Sequence, residues 1–163
     1  ALRDRQGFVM TVYEGNLVAR DGRYAIVASR FNDFIVDKLV AGAQDALVRS
    51  GADAGEIDLA WEPGAWELPL TADKLAGTRR YGAVIELGAV IRGATAHFEY
   101  VSGGVAKGLA SAGERHGLPV IFGVLTVDSI EQGIERAGSK AGNKGAEAAH
   151  TAIEMVNLLR SID

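Results

Sequence analysis

Apolar positions along the chain fall into short continuous runs separated by stretches of helical period. YAIVAS (24–29) has the length and character of a buried strand. Behind it Val36, Leu39, Val40, Ala43 and Leu47 recur at helical spacing, with Asn32 placed as N-cap and Gly51 as stop. IDLAWE (57–62) predicts a second strand, punctuated by Pro63-Gly64, and a helix is expected from Leu68 to Leu75. YGAVIELGAVIRG (81–93) is apolar at both parities, as suits a strand covered on two faces. A helix over 97–116 closes at His116-Gly117, ahead of Pro119, and VIFGVLT (120–126) predicts the fourth buried strand. Two helical stretches end the chain, SIEQGIERAG and KGAEAAHTAIEMVNLLRSI. In the second, Ala148, Ala149, Ala152, Ile153, Val156 and Leu159 make one apolar face.

This alternation predicts an α/β three-layer sandwich. Right-handed crossovers would give a central four-stranded parallel sheet with helices on both faces. Residues 1–7 read as a loose tail, and FVMTVYEG and NLVA as strand-like stretches around Gly15. That N-terminal strand has two places open to it. It is either a fifth strand of its own sheet or a partner for the sheet edge of a neighbouring subunit, protecting both edges. Gly103, Gly104 and Gly133 fall inside predicted helices, where each glycine costs about 1 kcal/mol against alanine.

Composition narrows the classes. With 163 residues, 48% of them apolar, the chain is of a size for one core. It has no cysteine, which removes disulfides, thiolate metal sites and cysteine nucleophiles, and fits a reducing, cytoplasmic setting. A formal charge of -4 without a basic cluster argues against nucleic acid as a partner. No apolar run approaches the roughly 20 residues that span a bilayer, so no membrane role is expected. The start, ALRDRQGFVM, lacks the charged-then-apolar order of a signal peptide.

Ligands of open parallel sheets sit outside the carboxyl ends of the strands, so chemistry is sought directly after each predicted strand. Those positions are Ser29-Arg30-Phe31-Asn32, Pro63-Gly64-Ala65-Trp66-Glu67, Gly93-Ala94-Thr95-Ala96-His97, and the residues around Thr126 and Asp128. Gly93-Ala94-Thr95 opens a helix, where free amides and the helix dipole attract phosphate or carboxylate; an ordinary helix start with Thr95 as cap is the plainer alternative. Arg136 is a candidate phosphate fork, although an arginine late in a helix is usually solvated. His97 alone of the three histidines lies on this rim, and imidazole suits proton transfer near neutrality. His116 reads as a helix C-terminal residue and His150 as pointing away from its apolar stripe. Phe31 and Trp66 can stack on a ring or belong to the core; Glu67 can accept from ligand hydroxyls or complement a helix N-terminus.

Other motifs fail. No metal site is expected, because no two histidines stand at ligand spacing and no HExxH occurs. GSKAGNKG has the outline of a phosphate-binding loop, yet Asn143 precedes Lys144 where that loop requires glycine, and no predicted strand leads into it. Neither GxGxxG nor GxSxG is present.

Five strings taken together, VASRFN (27–32), PGAWELP (63–69), GAVIRGATAHFEY (88–100), FGVLT (122–126) and ERAGSKAGNKGAEAA (135–149), resemble the lumazine synthase family from Tyr13 to the last residue. The resemblance implies a flavodoxin-like α/β domain over 13–163, with 1–12 as tail and start of the N-terminal strand. It implies condensation of 5-amino-6-(D-ribitylamino)uracil with 3,4-dihydroxy-2-butanone 4-phosphate to 6,7-dimethyl-8-ribityllumazine, phosphate and water. Carried over residue by residue, Phe31 would stack on the pyrimidine. Ala65, Trp66 and Glu67 would line the ribityl and ring pocket, and Ala89, Val90 and Ile91 would contact it through backbone. Phe122 would reach a ring held mainly by the adjacent subunit. Ala94 and Thr95 would take the phosphate, Arg136 would clamp it, and His97 would transfer protons. Lys144 and Glu147 would play a supporting part. No cofactor is implied, since the substrates bring their own amine nucleophile and leaving phosphate. Family members form pentamers, pairs of pentamers or sixty-subunit shells, and the uninterrupted AGSKAGNKG turn resembles the shell formers; riboflavin synthase is a possible partner. Two other classes stay open: a phosphate- or flavin-binding module without turnover, and a structural shell protein whose pocket has decayed.

Overall fold

The computed structural model describes residues 2, 3, 5–7 and 9–163. In chain order the elements are β1 (Leu2–Arg3), β2 (Val9–Met10), β3 (Tyr24–Ser29), α1 (Asp33–Arg49), β4 (Ile57–Glu62), α2 (Leu68–Gly77), β5 (Ala83–Ile91) and α3 (His97–His116). Then follow β6 (Val120–Val127), α4 (Ile130–Arg136), β7 (Ala137–Ser139), β8 (Gly142–Asn143) and α5 (Lys144–Ile162). The four expected strands form one parallel sheet in the order β4-β3-β5-β6. That is the doubly wound order of flavodoxin-like folds, in which the first strand lies inside the sheet and the chain winds outward in both directions.

Alternation along the central strand separates two cores. Ala83, Ile85, Leu87 and Ala89 face the side covered by α1 and α5, where Ile35, Leu39, Leu47 and Ile153 are buried. Val84 and Val90 face α2 and α3, with Leu68, Val105 and Leu109. Each buried Leu or Ile contributes about 1.5–3 kcal/mol over an exposed one, which holds both helix layers to the sheet. β5 therefore reads as an apolar run, interrupted by Glu86, because both of its faces are interior.

Several expectations change at the element ends. The predicted strand 81–93 is shorter, Ala83–Ile91, and SIEQGIERAG stops being helical at Arg136. The GSKAGNKG stretch does contain strands: β7 and β8 pair antiparallel as a hairpin, with Gly138 and Gly142 at positive φ, outside the main sheet. As expected, no strand of the main sheet leads into that stretch: α4 runs up to it, and the short hairpin is not the sheet strand that a phosphate loop follows. Asn143 then caps α5 by accepting from the Gly145 and Ala146 amides at 2.8 and 3.1 Å. Its Nδ2 donates to the Lys38 carbonyl of α1 at 3.0 Å. A β-carbon at Gly145 would collide with the Leu39 carbonyl, so that glycine permits the close approach of α1 and α5.

The N-terminal segment is not a fifth strand of the main sheet. Leu2–Arg3 of the expected loose tail instead pairs antiparallel with Val9–Met10. Phe8, which opens the predicted strand, lies outside the described residues, and residues 11–23 form no strand. NLVA (16–19) is anchored by side chains: Asn157 of α5 donates to the Asn16 and Val18 carbonyls, both at 2.9 Å. Among the described residues no helix is long and apolar enough to cross a membrane, and no group of three or more His, Asp or Glu side chains is arranged to hold a metal ion.

Candidate functional site

In the sheet order, the winding direction reverses between β3 and β5, leaving a crevice at their carboxyl ends. A cavity of about 690 Å³ opens there. Phe31 and Asn32 reach it from the end of β3, residues 63–67 from the end of β4, Ala89, Val90 and Ile91 from the end of β5, and His97, Tyr100 and Val101 from the first turns of α3. Of the residues to which the family resemblance gives a substrate or proton-transfer role, eight therefore meet: Phe31, Ala65, Trp66, Glu67, Ala89, Val90, Ile91 and His97. Ala89 and Val90 are buried floor, whereas Phe31 (71% exposed), Trp66 (60%) and Tyr100 (76%) stand as a rim of open aromatic faces. Rings held upright and half in solvent offer stacking surface to a planar ligand.

The walls are held by named contacts. Asn32 sits at φ 63 in the left-handed region, which asparagine tolerates. It occupies the expected N-cap position of α1, but its side chain caps nothing; only its carbonyl accepts, from Ile35 and Val36 amides at 3.0 and 3.1 Å. Its Nδ2 instead donates to the Ala89 carbonyl at 2.9 Å, joining the ends of β3 and β5 at the crevice. Trp66 packs over Gly104 of α3, where a β-carbon would stand 2.5 Å from Cζ3 of the indole. The glycines that looked out of place in helices thus have packing reasons: Gly133 leaves room for Ile35, and Gly104 for Trp66. A β-carbon at Gly103 would meet nothing within 4 Å among the described residues.

Below this wall, Ser29 and Glu62 are the last residues of β3 and β4, paired in register and both buried. Ser29 Oγ donates to Glu62 Oε1 at 2.6 Å, and the Gly64 amide donates to Oε2 at 3.2 Å. Burial pushes the Glu62 carboxyl above its ordinary value, against those two hydrogen bonds, which favour the charged form. Glu86, fully buried on β5, has neither carboxyl oxygen hydrogen-bonded. Burial drives its pKa well above the ordinary 4.5, with the nearby Glu62 charge adding to the effect.

The phosphate-directed residues are placed differently. His97 is the first residue of α3 and is exposed. The N-cap is Ala96 rather than Thr95, and no side chain caps the helix; the His97 amide lies a long 3.5 Å from Thr95 Oγ1. Ala94 and Thr95 are exposed on the turn beside the cavity's His97 edge but do not line it. Arg136 also stays off the lining, at the end of α4, where its Nη1 donates to the Gln132 carbonyl at 3.1 Å. Phe122 lies on the edge strand β6 opposite Glu86, 46% exposed and three register positions from Ala89, and does not line this chain's own cavity. Lys144 and Glu147 form an ion pair at 3.0 Å on the first turn of α5.

Sequence reasoning passed over Arg92. Its guanidinium is bonded to Asp128 at 2.8 Å and to Glu99, and lies 4.3 Å above the Phe98 ring, which ties β5, β6 and α3 together around the Gly93–Ala96 turn. The Arg92 hydrogen bond holds the Glu99 carboxyl below its ordinary value. A cation directly after a strand was the available signal. Tyr100 and Val101 were missed because a helix face is unreadable until the helix is docked.

The family model of 6,7-dimethyl-8-ribityllumazine synthase matches residues 21–160, a span that begins before β3 and ends inside α5. With the four-strand doubly wound sheet and the crevice already in place, this match shows that the chain belongs to the 6,7-dimethyl-8-ribityllumazine synthase family.

Proposed function

We propose that this chain condenses 5-amino-6-(D-ribitylamino)uracil with 3,4-dihydroxy-2-butanone 4-phosphate, releasing phosphate and water and forming 6,7-dimethyl-8-ribityllumazine. The observation that carries this reading is the meeting of Phe31, Trp66, Glu67 and the 89–91 backbone with His97 in one crevice. An aromatic rim suits the pyrimidine, Glu67 accepts from ribityl hydroxyls, and the last strand residues offer backbone groups to the ring edge. The primary amine of the pyrimidine attacks the butanone carbonyl, and phosphate later leaves with its bonding electron pair. The protein's work is then orientation, charge stabilisation and proton movement. His97 moves the protons; Ala94, Thr95 and Arg136 bind the phosphate.

The same reading includes self-association. Phe122 is exposed on a sheet edge, away from its own cavity, where it serves the crevice of an adjacent copy. The assembly we propose is a pentamer or a sixty-subunit shell of pentamers, in the cytoplasm, with riboflavin synthase as a possible guest. The decisive experiment mixes the two substrates with the purified protein and follows lumazine absorbance and fluorescence. Product formation supports the enzyme; ligand binding without turnover would instead make the chain a binding module. A solution mass of a monomer or dimer would overturn the assembly.

A further inference from the structure

We propose that Glu62, which does not itself line the cavity, is a positioning residue that fixes the Phe31 wall against the Trp66 wall for the pyrimidine substrate. This rests on the function proposed above. The parallel ladder does not stop at the sheet ends: the Arg30 amide donates to the Glu62 carbonyl at 2.8 Å and the Phe31 amide to the Pro63 carbonyl at 3.2 Å. The Glu62 carboxylate adds a side-chain tie at the same level, holding Ser29 on one strand and the Gly64 amide on the other. One residue beyond Gly64 the Ala65–Glu67 turn begins, which carries the indole and the carboxyl into the crevice.

An acid at 6% exposure is costly where packing alone is at stake, since an apolar side chain of that volume needs no hydrogen bonds. Both oxygens of Glu62 are used, one by the last residue of β3 and one by the turn that leads from β4 toward the cavity. Gly88, the next position across the sheet from Ser29, keeps the tie clear: a β-carbon there would stand 3.0 Å from Ser29 Oγ and 3.4 Å from Leu68 Cδ1. The tie therefore acts on where Trp66 and Glu67 stand relative to Phe31. The turn at 93–96 follows β5, a strand to which neither hydrogen-bond partner of the Glu62 carboxyl belongs.

The test compares Glu62→Leu, Glu62→Gln and Ser29→Ala in a Trp61→Phe background, which leaves Trp66 as the sole tryptophan of the two in the chain. Steady-state kinetics are run for each substrate, and acrylamide quenching of the indole is measured without ligand. Glu62→Leu is expected to raise KM for the pyrimidine about tenfold, leave KM for the butanone phosphate within about twofold, and change the quenching of Trp66, because a wall displaced by a fraction of an ångström loses orientation. Glu62→Gln, which still accepts from Gly64, restores the pyrimidine KM. A lower melting temperature with unchanged KM and quenching would reduce Glu62 to a stability residue and overturn the proposal. Should Glu62→Leu fail to fold, Ser29→Ala removes one of the two bonds and must show the same split; its absence overturns the proposal equally. If the parent protein makes no lumazine, the function proposed above fails, while the quenching series still decides whether Glu62 positions the wall.

Discussion

The indole of Trp66 lies against the bare backbone of Gly104, one turn beyond Tyr100 on α3, so closely that a β-carbon at 104 would be 2.5 Å from the ring. The wall of the crevice and the helix that carries His97 are thereby in direct contact. We expect Gly104→Ala to push the indole outward even though alanine favours the helix by about 1 kcal/mol. The outcome is a protein of equal or higher helix content with a raised KM for the pyrimidine and altered Trp66 emission. Unchanged emission and KM would mean that the ring adjusts freely.

His97 is the first residue of α3 and lines the cavity. Replacement by Ala is expected to lower turnover by about 10²–10⁴-fold, the scale of general acid–base catalysis, with both substrates still bound. Pre-steady-state mixing of the two substrates separates that loss from a binding defect. A turnover equal to the parent's would remove the assignment.

Arg136 is expected to act on the phosphate substrate only. Arg136→Lys keeps the charge but loses the two-pronged fork, and Arg136→Gln loses both. KM for the butanone phosphate should rise in that order while the pyrimidine KM holds. A rise confined to the pyrimidine would place Arg136 elsewhere.

Glu86 makes stability depend on pH in a known direction. Its folded pKa lies well above the ordinary 4.5, so the folded protein keeps a proton that the unfolded chain releases. The contribution is complete below that ordinary value and declines as pH rises toward the folded pKa. Glu86→Leu is therefore expected to raise the melting temperature more at about pH 8 than at about pH 5. An equal gain at both would show that Glu86 is charged in the folded protein, with a partner the geometry does not provide.

Asn143 joins three features: the cap of α5, the Lys38 carbonyl of α1, and the end of the β8 hairpin strand. Asn143→Ala should destabilise by roughly 1–2 kcal/mol through lost capping alone. Urea unfolding at constant slope measures this. No change in midpoint would mean that water replaces the asparagine without loss.

The hydrophobic rhythm was enough to place the four sheet strands and the helices between them, because burial on both faces of a parallel sheet imposes continuous apolar runs that few other structures produce. It was also enough to mark the rim, since the carboxyl ends of such strands converge wherever the sheet is doubly wound. The short N-terminal pairing of Leu2–Arg3 with Val9–Met10 and the hairpin at GSKAGNKG were not legible, because strands of two or three residues leave no periodicity to read. Asn32 shows the limit most clearly. Its identity and place predict a cap, while its left-handed backbone turns the side chain onto Ala89 on a strand 57 residues away. The glycines of α3 and α4 look like defects along the chain and become contacts only when Trp66 and Ile35 are laid against them. Sequence by itself determined the four sheet strands and the helices between them, the family-specific strings and the chemistry available at the rim, because these depend on residue type and local spacing. Tertiary structure alone decided which residues share the crevice, that Phe122 and Arg136 stand apart from it, and that Glu62 and Glu86 are buried acids, because those depend on distances between segments that no local pattern encodes.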